Sequence, residues 1–215
     1  MRSIAAITLF LFTVLGATAS HATYTWTTLD HPSATNTTLR GIDGANMVGH
    51  YTDSSDNSHG TLWDGSTWTT LDHPSATYTY LNGIDGTNMV GWYVDSSDNS
   101  HGTLYNGSTW NTLDHPSATY TSLNGIDGTN MVGWYVDSSG SHGTLWDGST
   151  WTTLDHPSAI HTYLNGIDGT NMVGYYTDSS GEHGFMVTAT SPVPEPATLL
   201  LALLGLALLP RRRRR

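Results

Sequence analysis

The chain has 215 residues, no cysteine and a formal net charge of −11 at neutral pH. Six of its seven Lys and Arg residues stand at the ends (Arg2 and Arg211 to Arg215), which leaves Arg40 alone against the Asp residues and Glu182 of the middle. That balance excludes nucleic acid as a partner, because phosphate contacts need Lys and Arg, and without a disulfide only burial can staple an exported fold.

Residues 1–22 read as a secretory signal. Arg2 supplies the charged start, Ile4 to Leu15 the apolar run, and Ala17-Thr18-Ala19 or Ser20-His21-Ala22 the small residues for cleavage. Residues 23–188 are a fourfold repeat. Asp-His-Pro recurs at Asp30, Asp72, Asp114 and Asp155, a period of 42, 42 and then 41. The short step is a trimmed loop: Ser96-Ser97-Asp98-Asn99-Ser100-His101 becomes Ser138-Ser139-Gly140-Ser141-His142. A period in this range is the signature of a repeat architecture.

Within one repeat, Thr109 to Leu113 is rich in Thr and Trp and predicts a strand. Thr121 to Ile126 predicts a weaker one. Asn130 to Asp137 predicts a strong one, with Met131, Gly133 and Tyr135 on one face and Val132, Trp134 and Val136 on the other. His101 to Tyr105 predicts a short one. No segment carries an apolar 3.6-residue stripe long enough for a helix. Asp64-Gly65, Asn106-Gly107 and Asp147-Gly148, and likewise Asp85-Gly86 and Asp127-Gly128, suit type I′ hairpin turns. His115 to Ala118 is a connection, since proline lacks the N–H a central strand needs.

Four short antiparallel strands per repeat of about 42 residues is the layout of a propeller blade. The expectation is an all-β, four-bladed β-propeller, with an open β-solenoid or β-array as the alternative. The first Trp segment, Tyr24 to Leu29, has no preceding His-Gly strand, and the last such strand, Gly184 to Val187, has no following Trp strand. Pairing these two orphans would close the ring and remove an exposed edge. The repeat is similar to a bacterial extracellular class termed HAF-type, through Gly83-Ile84-Asp85, Met89-Val90-Gly91 and His183-Gly184-Phe185. Asp stands for Asn in the first motif, and Thr follows His-Gly in the earlier copies. That resemblance implies a propeller-like β-repeat protein with no assigned chemistry.

Eleven histidines beside many aspartates invite a metal or catalytic reading. Most are repeat copies: His31, His73, His115 and His156 sit in Asp-His-Pro turns, and His59, His101, His142 and His183 precede Gly. A catalytic set is usually unique in a chain, and neither a Gly-x-Ser-x-Gly elbow nor a His-Glu-x-x-His motif is present. No catalytic residue and no cofactor is expected. The loops holding Asp53 with Asp56 and Asp95 with Asp98 gather hard oxygens and are the candidate calcium ligands; a solvated loop is the structural alternative. One strand position differs between copies: His50, Trp92, Trp134 and Tyr175. Exposed, Trp92, Trp134 and Tyr175 are candidate sugar-stacking residues; buried between sheets, they are core.

Residues 189–215 carry Pro194-Glu195-Pro196, an apolar run from Thr198 to Leu209, and Pro210 with five arginines. The run is short for a spanning helix, which wants about 20 residues. In this order the three parts resemble the PEP-CTERM sorting signal of Gram-negative bacteria. The resemblance implies recognition by an exosortase, cleavage near Pro194, Glu195 and Pro196, transient engagement of the inner membrane through a short C-terminal helix, and a host that makes exopolysaccharide. The functional expectation is a non-enzymatic protein, exported through the inner membrane and sorted to the cell surface or the extracellular matrix. The alternative is a carbohydrate-binding module that takes exopolysaccharide; a secreted hydrolase is the third reading.

Overall fold

The computed structural model describes residues 24–190, which form fifteen strands and no helix. They make four consecutive antiparallel meanders. The first comprises β1 (Asn36–Asp43), β2 (Asn46–Thr52), β3 (Ser58–Trp63) and β4 (Trp68–Thr70). The second comprises β5 (Ala76–Asp85), β6 (Asn88–Asp95), β7 (Ser100–Tyr105) and β8 (Trp110–Thr112). The third comprises β9 (Tyr120–Asp127), β10 (Asn130–Asp137), β11 (Gly140–Trp146) and β12 (Trp151–Thr153). The fourth has only β13 (His161–Asp168), β14 (Asn171–Asp178) and β15 (Gly181–Thr188). A single residue pair, Ser100 with Tyr120, bridges the second and third meanders.

The predicted strand Asn130 to Asp137 coincides with β10. The strand predicted to be weak is in fact long, as β9. The Trp strand is shorter than predicted, because only Trp110 to Thr112 pair with β7. The turns between first and second strands also differ from expectation. Asp85 pairs with Asn88, so the turn residues are Gly86 and Thr87, and only Gly86 (φ 58°) has positive φ. A positive φ at the first turn position alone is the type II′ pattern, not type I′.

Sheets pack face to face in sequence order, so both faces of an inner sheet are covered. Met131 and Tyr135 are buried on one face of β10, and Val132 on the other. Each junction buries the second-strand Val of one sheet against the Leu, Ile and Met of the next. Val48 meets Leu81, Ile84 and Met89; Val90 meets Leu123, Ile126 and Met131; Val132 meets Leu164 and Met172. The first strands lie side by side, and glycine permits that approach. A Cβ on Gly83 would stand 2.9 Å from the Asn124 carbonyl oxygen and 3.3 Å from the Gly125 Cα. Two exchanges repeat across junctions. The Asn82 Nδ2 donates to the Leu123 carbonyl (2.9 Å), and the Asn124 Nδ2 to the Leu164 carbonyl (2.8 Å). Asp43 accepts from the Gly86 N–H, Asp85 from Gly128 and Asp127 from Gly169.

The predicted ring closure is not present. Residues 24–30 form no strand, Trp26 is 94% exposed, and β15 pairs only with β14. The first and fourth sheets, as described, share no core cluster, and Ile42 (65% exposed) and Val173 (48%) are left uncovered, so the β15 edge is not brought to the segment. His31 stacks on Tyr51 (centroids 3.8 Å apart) and its backbone N–H donates to the Thr37 Oγ1 (3.0 Å), the contacts that His73 and His115 also make where a paired Trp strand precedes them. Among the described residues the array is therefore open. No helix of the described residues is long and apolar enough to cross a membrane. The signal over 1–22, the sorting residues Pro194, Glu195 and Pro196 and the C-terminal apolar helix lie outside the described residues.

Candidate functional site

The side on which the first strands converge holds a cavity of about 530 Å³. Two columns of the repeat build it. The Asn column of the first strands contributes Arg40, Asn82, Asn124 and Asn165. The variable column of the second strands contributes His50, Trp92 and Trp134, with Tyr80, Tyr120 and Ser122 beside them. Pleating explains the convergence: in β6, Trp92 shares a face with Val90, and while Val90 is buried against the next sheet, Trp92 extends beyond it and stays half-buried.

The aromatics form a continuous rail. Tyr80 stacks on Trp92 (4.2 Å) and Tyr120 on Trp134 (4.5 Å); tilted or edge contacts link Trp92 to Tyr120 (5.6 Å) and Trp134 to Tyr163 (5.2 Å). Of the predicted stacking residues, Trp92 and Trp134 line the cavity. Tyr175 does not; it stacks on Tyr163 at the far end of the rail (4.7 Å).

The lining contains no Asp or Glu, in a chain with eighteen of them. Its charge is Arg40, and burial, then Arg40, lowers the pKa of His50 and favours the neutral ring. Burial pushes the Tyr120 hydroxyl up to about 12, against a hydrogen bond from Ser122. The surface is thus aromatic, amide and hydroxyl. His50 Nδ1 is the one buried side-chain polar atom among the described residues without a hydrogen-bond partner, a state that costs free energy unless something pairs with it.

The other histidines divide by surroundings. In the Asp-His-Pro turns the ring is a neutral acceptor: Ser75 N–H donates to the His73 Nδ1 (3.2 Å), and the ring stacks on Tyr93 (3.8 Å). Burial lowers the pKa of His31, His73 and His115, in keeping with that role. Three of the four His-Gly histidines sit between two carboxylates: His59 between Asp72 (2.8 Å) and Asp53 (3.5 Å), His101 between Asp114 and Asp95, His142 between Asp155 and Asp137. Burial opposes charging of these rings, but the paired aspartates outweigh it and raise all three pKa values.

One constellation escaped the sequence reading. Ser139 Oγ lies 2.9 Å from the His142 Nε2, and the His142 Nδ1 lies 2.7 Å from Asp155. The order Ser, His, Asp is that of a hydrolytic triad. The chemistry fails on Asp137, whose Oδ1 takes the serine hydroxyl hydrogen at 2.6 Å. The same carboxylate, with Asp155, raises the His142 pKa, which favours the ring as a donor over its use as the serine's base.

The candidate calcium loops are closed on themselves. The Asp53 Oδ1 accepts from the Ser55 and Asn57 N–H groups, and Asp95 repeats this with Ser97 and Asn99. These bonds, led by the backbone N–H of Asn57 and of Asn99, hold both carboxyls down to about 2. Asp56 and Asp98 take positive φ (63° and 62°) as turn residues. Among the described residues no three His, Asp or Glu side chains come together as a metal site.

No family model and no curated protein matches the chain. Among solved structures, a variant of the Aleuria aurantia lectin in complex with α-methyl-L-fucoside superposes with a TM-score of 0.43 at 12% identity, over 69% of this chain and 58% of that one. A second structure of that lectin, described as a six-bladed β-propeller, gives 0.43 at 14% identity over 69% and 59%. The SapL1 lectin with α-methyl fucoside gives 0.40 at 14% identity over 74% and 69%. The chain spans just under three-fifths of the length of the first two.

Proposed function

We propose that this is a non-catalytic β-repeat protein, blade-like in its sheets, whose inner cavity binds carbohydrate. The observation that carries this reading is the cavity's lining: half-buried indoles and phenols beside amide side chains, with no carboxylate. Sugars offer flat C–H faces for aromatic rings and hydroxyls for amides, and a ring aromatic is amphipathic in the same way. Arg40 at the cavity's first step would accommodate a uronate or other acidic substituent.

Export and sorting belong to the same proposal and rest on the motifs of 1–22 and 189–215. A carbohydrate-binding domain delivered to the cell surface by an exosortase would anchor, or be anchored by, exopolysaccharide. Mass spectrometry of the protein from an exosortase-bearing host should find Arg211 to Arg215 gone; recovery of the intact tail would refute sorting.

Binding is tested by titrating a panel of neutral and acidic oligosaccharides while following tryptophan fluorescence and heat. We expect at least one oligosaccharide to perturb the indole emission. Trp92→Ala and Trp134→Ala should each weaken it about tenfold or more, equivalent to about 1.4 kcal/mol. Tyr175→Ala should have a smaller effect. Binding that survives both tryptophan changes would place the ligand elsewhere, and a silent panel would remove the reading.

A further inference from the structure

The two ends of the array are complementary, residue by residue, in the same way that its inner junctions are. Ile84 and Ile126 are 8% exposed because the preceding sheet covers them; their counterpart on the first sheet, Ile42, is 65% exposed. Val48, Val90 and Val132 are fully covered by the following sheet, whereas Val173 of the fourth is 48% exposed. A Cβ on Gly125 would strike the Gly166 Cα at 3.0 Å, but one on Gly166 would meet nothing nearer than a Val173 methyl at 3.4 Å. The clip that joins Asp127 to the Gly169 N–H ends there: Asp168 and the Gly44 N–H have no such partner among the described residues.

The edge strands repeat the pattern. In the first three sheets a Trp strand pairs with the third strand, Thr61 opposite Thr70 and Leu62 opposite Thr69. The following Asp bonds the His-Gly step: Asp72 holds the His59 Nδ1 at 2.8 Å and the Gly60 N–H at 3.1 Å. Tyr51, Tyr93 and Tyr135 each place a hydroxyl on a threonine of that strand. Among the described residues of the fourth sheet β15 has no outer partner, His183 meets one carboxylate, Asp178, where its counterparts meet two, and no such bond is made by Tyr176. The missing groups exist at the other end of the chain, where Trp26, Thr27, Thr28, Leu29 and Asp30 repeat Trp68 to Asp72.

We propose that the fourth sheet of one molecule docks head to tail on the first sheet of a second copy, with the second copy's Tyr24–Asp30 segment added to β15 as the missing fourth strand. The occupant is a second copy and not the chain's own N-terminus, because within one chain residues 24–30 pair with no strand, β15 pairs only with β14, and Ile42 and Val173 stay uncovered. The new interface continues one already made three times within the chain. It lacks one element: Arg40 stands where an Asn would accept from Asn165, so the intermolecular junction is weaker than the internal ones. A head-to-tail contact of this kind is heterologous and yields a closed ring or a filament according to its rotation.

The absence of cysteine makes the test direct. Thr27 would face Met186, by the register of Thr69 opposite Leu62, and both are exposed. Full chains carrying Thr27→Cys and Met186→Cys singly, with different tags, are mixed and oxidised. We expect a disulfide species of twice the chain mass containing both tags. The native chain should gain mass with concentration in sedimentation, and Val173→Asp should weaken that association at least tenfold while leaving the circular dichroism of the lone chain unchanged. Three results would overturn the proposal: a native chain that stays monomeric at every concentration, a mixture that forms no cross-tag disulfide, or a Thr27→Cys/Met186→Cys double variant that closes only within one chain.

Discussion

The third and fourth sheets are nearly the same sequence in different company. β10 reads NMVGWYVD and β14 reads NMVGYYTD, and both pair with their first strand through the same register and the same bulge. Yet Val132 is fully buried and Val173 half exposed, and Ile126 is buried where Ile167 is not. Local structure here is written in the repeat, whereas burial is conferred by the neighbour. In such arrays stability is close to a sum of unit and nearest-neighbour terms, so substitutions at covered and uncovered positions of the two sheets should cost very different amounts.

The largest contrast is expected in the core. Leu123→Ala removes a fully buried side chain packed on Val90 and should cost about 3 kcal/mol. Met186→Ala in the fourth sheet, on a side chain 67% exposed, should cost no more than about 0.5 kcal/mol. Urea midpoints of the two variants measure this directly, and equal losses would show that the fourth sheet's outer face is covered. Next comes backbone approach. Gly125→Ala forces a methyl against the Gly166 Cα and should cost about 1–3 kcal/mol, while Gly166→Ala should be close to neutral.

A smaller contrast depends on pH. His142 has its pKa raised because Asp155 and Asp137 outweigh the burial that opposes charging. Its contribution is therefore fully present below the unfolded-state value near 6.5 and is lost as pH rises through the higher folded value. His142→Gln should destabilise more at pH 6 than at pH 9, and Asp155→Asn should show the same trend. A loss that does not change with pH would mean that the ring is held neutral. The smallest contrast concerns the turn clips. Asp127→Ala removes the acceptor for the Gly169 N–H at an exposed turn and should cost about 0.5–1 kcal/mol; Asp168→Ala, which has no such donor, should cost less.

What could be read from the sequence follows the same division. The period, the strands and the meander order were legible, because alternation and turn residues act within one repeat. β10 was legible to the residue. The Asp-His-Pro turns were legible as turn chemistry for the same reason. Closure was misread because identical motifs at the two ends imply complementarity without saying whether the ends meet. The cavity was half legible. Variation between copies pointed to the column of Trp92 and Trp134. It did not reveal that the first-strand position occupied by Arg40, Asn82, Asn124 and Asn165 faces the same space, since a one-residue bulge between Leu81 and Gly83 shifts that strand's register. That column also breaks its own pattern, with arginine once and asparagine three times, and this was the available signal. The serine–histidine contact arises only where the loop is trimmed, beside the Asp137 carboxylate; in the longer loops Asp53 and Asp95 stand at that ring nitrogen without a serine.

The amide contacts from Asn82 to Asn124 to Asn165 all run in one direction, each donor serving the sheet that follows it. A junction built this way is indifferent to its position in the series. A gene that gained or lost one unit by unequal recombination would therefore encode a protein with every remaining seam intact, and with one more or one fewer aromatic step along the cavity. Copy number is thus a dial on the length of the aromatic rail that can turn without any new interface being invented, and the variable column is where each added unit would differ from its neighbours.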